Sequence, residues 1–230
     1  MTEDSSALAR VIAIDGPSGT GKSSVARDVA RRLGAGYLDT GAMYRAVTLV
    51  VLNDGLDPTD VELVAERVHS LRIDIATDPD FDTVIVEGRD VTEQIRSAEV
   101  TAAVSAVSAI PAVRQRLVAH QRLLVQGSTM VVEGRDIGTV VFPAATPKIY
   151  LTAEPGARAA RRAEQLGILD PDQIAELAES LSARDESDSS RSESPLRPAS
   201  EAVVVDSTQL SQQEVVEAIL SAVKVGGRAQ

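Results

Sequence analysis

The chain has 230 residues, of which 43% are hydrophobic and 25% charged, which suits one globular domain with a sizeable core. Its net charge of −11 argues against non-specific binding to nucleic acid or to an anionic membrane, and the lack of cysteine excludes disulfides and thiolate metal sites. No apolar run approaches the roughly 20 residues of a membrane span, and residues 1–10 lack the apolar centre of a secretory signal. We therefore expect a monomeric cytoplasmic enzyme whose partners are small molecules, with no nucleic acid and no membrane.

The first patterned segment is Val11–Ile14, an apolar run typical of a buried parallel strand. It leads into GPSGTGKS, which fits the complete G-x-x-x-x-G-K-[ST] phosphate-loop pattern and opens a helix. Glycines let the backbone N–H groups wrap a phosphate, Lys22 (expected to be exposed) supplies a cation, and Ser23 offers a hydroxyl to Mg²⁺. Asp15, just before the loop, either supports the Mg²⁺ site indirectly or ends the strand in a turn. The residues predicted to hold the phosphates of ATP are Gly16, Pro17, Ser18, Gly19, Thr20, Gly21, Lys22, Ser23 and Ser24.

A second polar cluster follows the next strand candidate, Tyr37–Leu38. Thr40 and Arg45 bring a hydroxyl and a guanidinium to the carboxyl end of a strand, which is the edge where open α/β sheets bind ligands. Arg45 is placed to take a second phosphate, and Tyr44 is expected to frame the pocket. Helical periodicity continues beyond this point, and Asp57–Pro58 predicts the start of a further helix.

Residues 71–91 change character, because short apolar runs lie too close together for a crossover helix and so predict antiparallel pairs. This small β insert contains Glu87–Asp90 (EGRD), a near copy of a later motif. A second active centre is conceivable there, but a tight turn that uses Gly88 is the better interpretation. Arg96, just beyond the insert, faces either the acceptor pocket or solvent.

Helical patterns return from Ser97 to Gln126, with Pro111 at the start of a second helix. The apolar run 130–132 then leads into Glu133–Asp136 (EGRD), which again places an acid, a glycine and an arginine after a strand. Further strands are predicted at 148–151 and 202–205.

Three arginines, Arg158, Arg161 and Arg162, fall on one face of a predicted helix at i, i+3 and i+4. Planar guanidinium groups neutralise phosphate charge bidentately, so this face suits phosphoryl transfer. A capped helix start follows at Asp170, whereas residues 184–200 have the composition of a disordered linker. Strands alternating with helices predict an α/β fold with a mostly parallel sheet of about five strands.

Taken in order, these blocks resemble bacterial cytidylate kinases from about Val11 to Val223. The resemblance rests on the phosphate loop, on LDTGAMYR at 38–45, on the β insert, on RD at 184–185 and most specifically on EGRDIGTVVFP at 133–143. It implies a single nucleoside monophosphate kinase domain over 1–230, with a P-loop core at 10–38, 128–152 and 200–225. A nucleoside-monophosphate region at 39–127 would carry the β insert, at about 71–95, and a short helical lid would cover about 153–170.

The resemblance also assigns residue roles. It places Thr40, Arg45 and Arg135 at the acceptor phosphate, Ser105, Arg114 and Asp136 at the cytosine edge, Arg184, Asp188 and Arg191 at the pentose and base, and Arg158 and Arg162 at the transferring phosphoryl. With Lys22, the residues Arg135, Arg158 and Arg162 would be catalytic. Two departures from the family pattern are the lack of arginine between Glu186 and Ser190, which leaves fewer cations to balance charge when the lid is closed, and Ser23 where many relatives have glycine.

The implied reaction is the transfer of the γ-phosphoryl of MgATP to CMP or dCMP, giving CDP or dCDP in pyrimidine nucleotide metabolism. The alternatives are another P-loop small-molecule kinase, for a different monophosphate or for a shikimate- or gluconate-type acceptor, and a regulatory GTPase. The β insert and the 133–143 block argue against the former, and the lack of an N-K-x-D element argues against the latter.

Overall fold

The computed structural model describes residues 10–191 and 193–226, so the first nine residues, on which the signal-peptide argument depends, lie outside the described part. The described strands are β1 (Val11–Asp15), β2 (Gly36–Asp39), β3 (Ile73–Ile75), β4 (Val84–Val86), β5 (Arg89–Asp90), β6 (Met130–Gly134), β7 (Lys148–Thr152) and β8 (Val203–Asp206). The described helices are α1 (Lys22–Leu33), α2 (Thr40–Asn53), α3 (Val61–His69), α4 (Ala98–Ala109), α5 (Pro111–Leu124), α6 (Pro155–Leu166), α7 (Pro171–Ser189) and α8 (Gln212–Gly226).

Five strands form one parallel sheet in the order β2-β6-β1-β7-β8, which confirms the predicted core. Strand β1 is central, and its side chains alternate between two apolar layers as the two-residue period of a strand requires. Ile12 and Ile14 pack with α1 and α8, whereas Ala13 packs on the other face with α2. Burial on both faces explains why this strand is an unbroken apolar run.

The second sheet, β3-β4-β5, is antiparallel and confirms the predicted insert. The copied EGRD motif forms the β4–β5 hairpin, where Glu87 and Gly88 adopt positive φ angles of 49° and 80°. Two such residues make the tight turn that matches the twist of a hairpin. The turn interpretation of 87–90 is therefore confirmed. Arg96 is half exposed and pairs with Asp82 of the insert at 3.0 Å.

The predicted helix start at Asp57 is wrong, because α3 begins at Val61 with Asp60 as its N-cap. Asp57 instead accepts hydrogen bonds from the backbone and hydroxyl of Thr59, so its carboxylate closes a local turn. The predicted starts at Pro111 and after Asp170 are confirmed.

The C-terminal part contains the largest difference from the composition-based expectation. Residues 184–189, which look like linker, form the last turns of α7, and Asp188 is buried there. Beyond the helix, the amide of Leu196 donates to the carbonyl of Asp188 at 2.9 Å and so turns the chain back. Local composition misleads because tertiary contacts order this segment. Across the described residues, no helix is long and apolar enough to span a membrane.

Candidate active site

Strand register brings the chemically important loops to one edge of the sheet. Asp15 pairs with Gly134, and Asp39 pairs with Glu133, so β1, β2 and β6 end side by side. The phosphate loop therefore begins beside Arg135, which follows β6, and Thr40 lies one strand further along the same edge, at the end of β2. This juxtaposition is the reason why segments distant in sequence can serve one site.

The phosphate loop closes on itself through its lysine. Lys22 Nζ donates to the carbonyl of Pro17 at 2.6 Å, and Gly19 and Gly21 adopt positive φ angles of 79° and 85°. Gly16 has a different role, since an added Cβ would lie 2.0 Å from the carbonyl oxygen of Leu151 on β7. The first glycine is thus needed for strand packing, and the later two let the loop curve.

Lys22 is buried, with 6% of its surface exposed, so the expectation of an exposed loop lysine is wrong. Burial is the largest cause that lowers its pKa, followed by the nearby Arg135 guanidinium, while Glu133 opposes the shift. A buried ammonium beside another cation is unfavourable unless an anion joins it. The lysine environment therefore favours a bound phosphate.

Four arginines extend this positive region. Burial lowers the pKa of Arg45 to about 10, and the next contributions come from Arg184, Arg162 and Arg135, with Asp39 opposing them. Burial also lowers the pKa of Arg184, with Arg135 as the second cause, and its Nε atom is buried without a hydrogen-bond partner among the described residues. Mutually repelling guanidinium groups at a sheet edge form a site for anionic ligands.

Arg114 and Asp136 form a buried ion pair next to this region. Their side chains are 7% and 6% exposed, and the Arg114 guanidinium lies over the ring of Tyr44, 5.6 Å from its centroid. Tyr44 therefore packs against the guanidinium of this pair. The carboxylate of Asp136 and the guanidinium of Arg114 offer an acceptor and donors to a planar polar edge.

Asp188 joins α7 to the end of β6. Its carboxylate accepts from Arg135 Nε at 3.0 Å and also pairs with Arg191, while Arg191 Nη2 donates to the Ser108 hydroxyl at 2.9 Å. Ser105 takes part through its backbone carbonyl, which lies 3.5 Å from Arg191 Nη2. The predicted pentose and base residues thus lie together in the folded chain.

Helix α6 divides its three arginines between two directions. Arg158 is buried and donates to the carbonyl of Ser18 at 3.0 Å, and Arg162 is half-buried near Arg45. Arg161 instead donates to the hydroxyl of Ser207 at 3.0 Å, which fastens α6 to the chain after β8. The prediction that all three converge on the site is therefore wrong for Arg161.

Thr40 and Asp15 form hydrogen bonds with backbone groups of neighbouring segments. The Thr40 hydroxyl donates to the carbonyl of Glu133 at 2.7 Å. Asp15 accepts from the amides of Ile137 and Gly138, each at 2.8 Å, and so clamps β1 to a π-helical turn at Ile137–Val141. These bonds fix the shape of the site before any ligand binds.

The sequence matches the family described as cytidylate kinase over residues 12–225. The chain belongs to the cytidylate kinase family. It is 53% identical to the cytidylate kinase of Rhodococcus opacus (strain B4), over 91% of this chain and 93% of that protein. It is 50% identical to the cytidylate kinase of Mycobacterium leprae (strain Br4923), over 93% of this chain and 95% of that protein.

A solved structure supports the fold alone. An uncharacterized protein from Eubacterium ventriosum superposes with a TM-score of 0.53 at 11% identity, covering 94% of this chain and 99% of that one. Membership of the cytidylate kinase family confirms the predicted resemblance and the enzyme class, an ATP-dependent nucleoside monophosphate phosphotransferase.

The residues of this cytidylate kinase family member also fit a magnesium ion that arrives with ATP. Ser23 is exposed at the start of α1, and Asp15, Asp39 and Glu133 lie at the ends of three adjacent strands. These groups offer oxygen atoms, which Mg²⁺ prefers. Within the described ranges, no three or more His, Asp or Glu side chains are grouped so as to hold a metal ion.

Sequence reasoning missed three residues of this site. Glu133 is buried and accepts from the Tyr37 hydroxyl, and burial is the main cause that raises its pKa. Ser108 binds Arg191, and Asp185 binds the phosphate loop. The sequence offered two signals, the position of Glu133 at a strand end and the RD pair at 184–185, whereas the Ser108 contact depends on how α4 and α7 pack.

Proposed function

We propose that the protein transfers the γ-phosphoryl group of ATP to CMP or dCMP and releases ADP with CDP or dCDP. The observation that carries this proposal is the convergence of Lys22, Arg45, Arg135, Arg162 and Arg184 at one edge of the sheet. The protein has a net charge of −11, yet it concentrates cationic side chains at this edge. Two phosphate-bearing substrates that bind next to each other need such cations to neutralise their negative charge.

Substrate positioning would account for most of the catalysis. The monophosphate acceptor is largely dianionic at neutral pH, since its second pKa is about 6, so a strong general base is unnecessary. The phosphate loop would hold the donor through residues 16–24, with Lys22 at the transferring group, while Arg45, Arg135 and Thr40 hold the acceptor phosphate. Catalysis then follows from alignment and from charge neutralisation by Lys22, Arg158 and Arg162.

Mg²⁺, when bound, would neutralise charge on the donor phosphates, with Ser23 as its protein ligand and Asp15 behind it. The base would be selected by Arg114 and Asp136, with Ser105 nearby, because a carboxylate accepts from the cytosine amino group. Arg184, Asp188 and Arg191 would contact the pentose and base.

We also propose that the chain is divided into the functional regions predicted from the sequence. The core would comprise 10–38, 128–152 and 200–225, the monophosphate region 39–127 and the lid about 153–170, which includes α6. Closure of such a lid would exclude water and suppress hydrolysis of ATP. A monomer acting in the cytoplasm stays our prediction from composition.

A coupled assay for ADP release tests the function. We expect turnover with ATP and either CMP or dCMP, weak turnover with UMP, and background rates with AMP and shikimate. Higher kcat/KM for AMP or for shikimate than for CMP would reject the proposal in favour of another small-molecule kinase.

A further inference from the structure

Asp185 connects three elements at the mouth of the phosphate loop. Its Oδ1 atom accepts from the amide of Ser18 at 3.1 Å, and its Oδ2 atom pairs with Arg158 Nη1. The same Arg158 nitrogen donates to the Ser18 carbonyl at 3.0 Å. One carboxylate on α7 thus holds both the loop and an arginine of α6.

This junction is tightly packed. The side chains of Arg158 and Asp185 are 7% and 15% exposed. Gly19 allows the approach, because a Cβ there would lie 3.1 Å from Arg158 Cβ and 3.5 Å from Leu181 Cδ1. Loss of the Asp185 charge would leave the buried Arg158 guanidinium without its counterion, which favours movement of Arg158 away from the loop.

The same turn of α7 reaches the acceptor side. Asp188 follows Asp185 at i+3, so both lie on one face of the helix, and Asp188 pairs with Arg135 and Arg191. Arg184, on the preceding residue, faces the cation cluster with Arg45. A helical turn is rigid, so a ligand that fixes the positions of Asp188 and Arg184 also fixes the position of Asp185.

We propose that Asp185 is a positioning residue that couples occupancy of the monophosphate site to the arrangement of Arg158 at the phosphate loop. Binding of the monophosphate would fix the end of α7, and Asp185 would transmit this to Arg158 and Ser18. The arrangement of Arg158 and Ser18 at the donor site would then be held more firmly when an acceptor is present, which would limit wasteful hydrolysis. This inference rests on the proposed function.

The test measures coupling between the two sites by titration calorimetry, with a non-hydrolysable ATP analogue and CMP, for wild type, Asp185→Asn and Glu186→Gln. Glu186 is exposed on the same helix, and its substitution makes the same change of charge. We expect CMP to tighten analogue binding about fivefold or more in wild type and Glu186→Gln, and to change it less than twofold in Asp185→Asn. We also expect kcat of Asp185→Asn to fall at least tenfold, with KM for CMP changed less than threefold.

The outcomes separate this inference from the proposed function. Coupling in Asp185→Asn equal to that of wild type overturns the inference, whatever happens to kcat or to thermal stability. Loss of coupling in Glu186→Gln as well would also overturn it, because the effect would then belong to helix charge in general. A wild type that turns over CMP without any coupling rejects the inference alone, whereas a wild type that neither binds nor phosphorylates CMP rejects the proposed function too.

Discussion

Arg135 Nε lies 3.0 Å from Asp188 Oδ2, although 53 positions separate the two residues in the sequence. The pair joins the end of β6 to the last turn of α7, and Arg191 shares the same carboxylate. Because Asp188 is only 4% exposed, its charge is compensated almost entirely by these two arginines. The bridge fixes where the acceptor residues stand relative to each other.

Asp188→Ala should weaken monophosphate binding more than turnover. Removal of the carboxylate leaves Arg135 and Arg191 without their shared counterion, so we expect KM for CMP to rise at least tenfold. Breaking a buried pair should also lower the free energy of unfolding by about 3 kcal/mol. Steady-state kinetics and urea unfolding measure the two effects.

Glu186→Ala, on an exposed position of the same helix, is the matched control and should change neither quantity. Hydrogen exchange across 184–200, with and without CMP, adds a direct readout. If Asp188→Ala has wild-type kinetics and CMP leaves the hydrogen exchange of 184–200 unchanged, then this segment does not belong to the monophosphate site.

Selection of cytosine over uracil should depend on Asp136. CMP presents an amino donor to the carboxylate, whereas UMP presents an oxygen, so we expect wild-type kcat/KM for CMP to exceed that for UMP at least tenfold, or about 1.4 kcal/mol. Asp136→Asn can donate to the uracil oxygen and should bring the ratio close to one. Asp90→Asn changes the same residue in the copied motif of the insert and should leave the ratio as it is. Equal kcat/KM for CMP and UMP in wild type would contradict the assignment.

How much the sequence predicts depends on whether a pattern is local. The phosphate loop and the strand ends carrying Thr40 and Arg135 follow from apolar runs and glycine spacing, so the sheet and its ligand edge could be predicted. The end of α7 could not be predicted from composition, because Asp188 is held by Arg135, which follows β6, as well as by the neighbouring Arg191. The failure at Asp57 has a local cause, since Asp57 and Asp60 can each close a turn, and it is Asp60 that caps α3.

Lys22→Met should abolish phosphoryl transfer while the fold persists. Loss of one charged group at the transferring phosphate typically costs about 10²–10³ in kcat, and we expect at least this decrease. Stability should change little, because a methionine avoids burying an ammonium whose pKa is already lowered by burial and by Arg135. Lys224→Met, on the exposed face of α8, serves as the control. A folded Lys22→Met enzyme with near-normal turnover would refute the phosphate-loop assignment.

The stability of the protein should depend on pH through Asp15. Burial is the largest cause that raises the pKa of this carboxyl from 3.8 to about 6. Between these values the folded protein binds a proton that the unfolded chain releases, so this group's contribution to stability falls as pH rises through the window, by about 3 kcal/mol at most. Asp15→Asn has no carboxyl at this position and therefore lacks this pH-dependent contribution to stability.

Urea unfolding at pH 4, 5.5 and 7 provides the measurement. The unfolding free energy of wild type, relative to Asp15→Asn, should decrease from pH 4 to pH 7. For Asp90→Asn the relative change should be small over this range, because hydrogen bonds from Thr92 lower the pKa of Asp90 below its ordinary 3.8, so its carboxyl is ionised in both the folded and the unfolded chain over most of it. A wild type that gains stability relative to Asp15→Asn over this range would show that the Asp15 carboxylate is stabilised by its two amide partners more than it is destabilised by burial.

The first glycine of the phosphate loop should prove essential for folding rather than only for ATP binding. In Gly16→Ala the new Cβ would lie 2.0 Å from the Leu151 carbonyl oxygen, a backbone atom of β7 that cannot move without breaking the sheet. We expect the free energy of unfolding to fall by about 3 kcal/mol or more. Gly156→Ala is the matched control, because a Cβ in the first turn of α6 meets nothing within 4 Å and should be neutral or stabilise by up to about 1 kcal/mol. Denaturant unfolding of both variants measures this difference. A Gly16→Ala protein that loses ATP binding but keeps wild-type stability would show that this glycine serves phosphate binding alone.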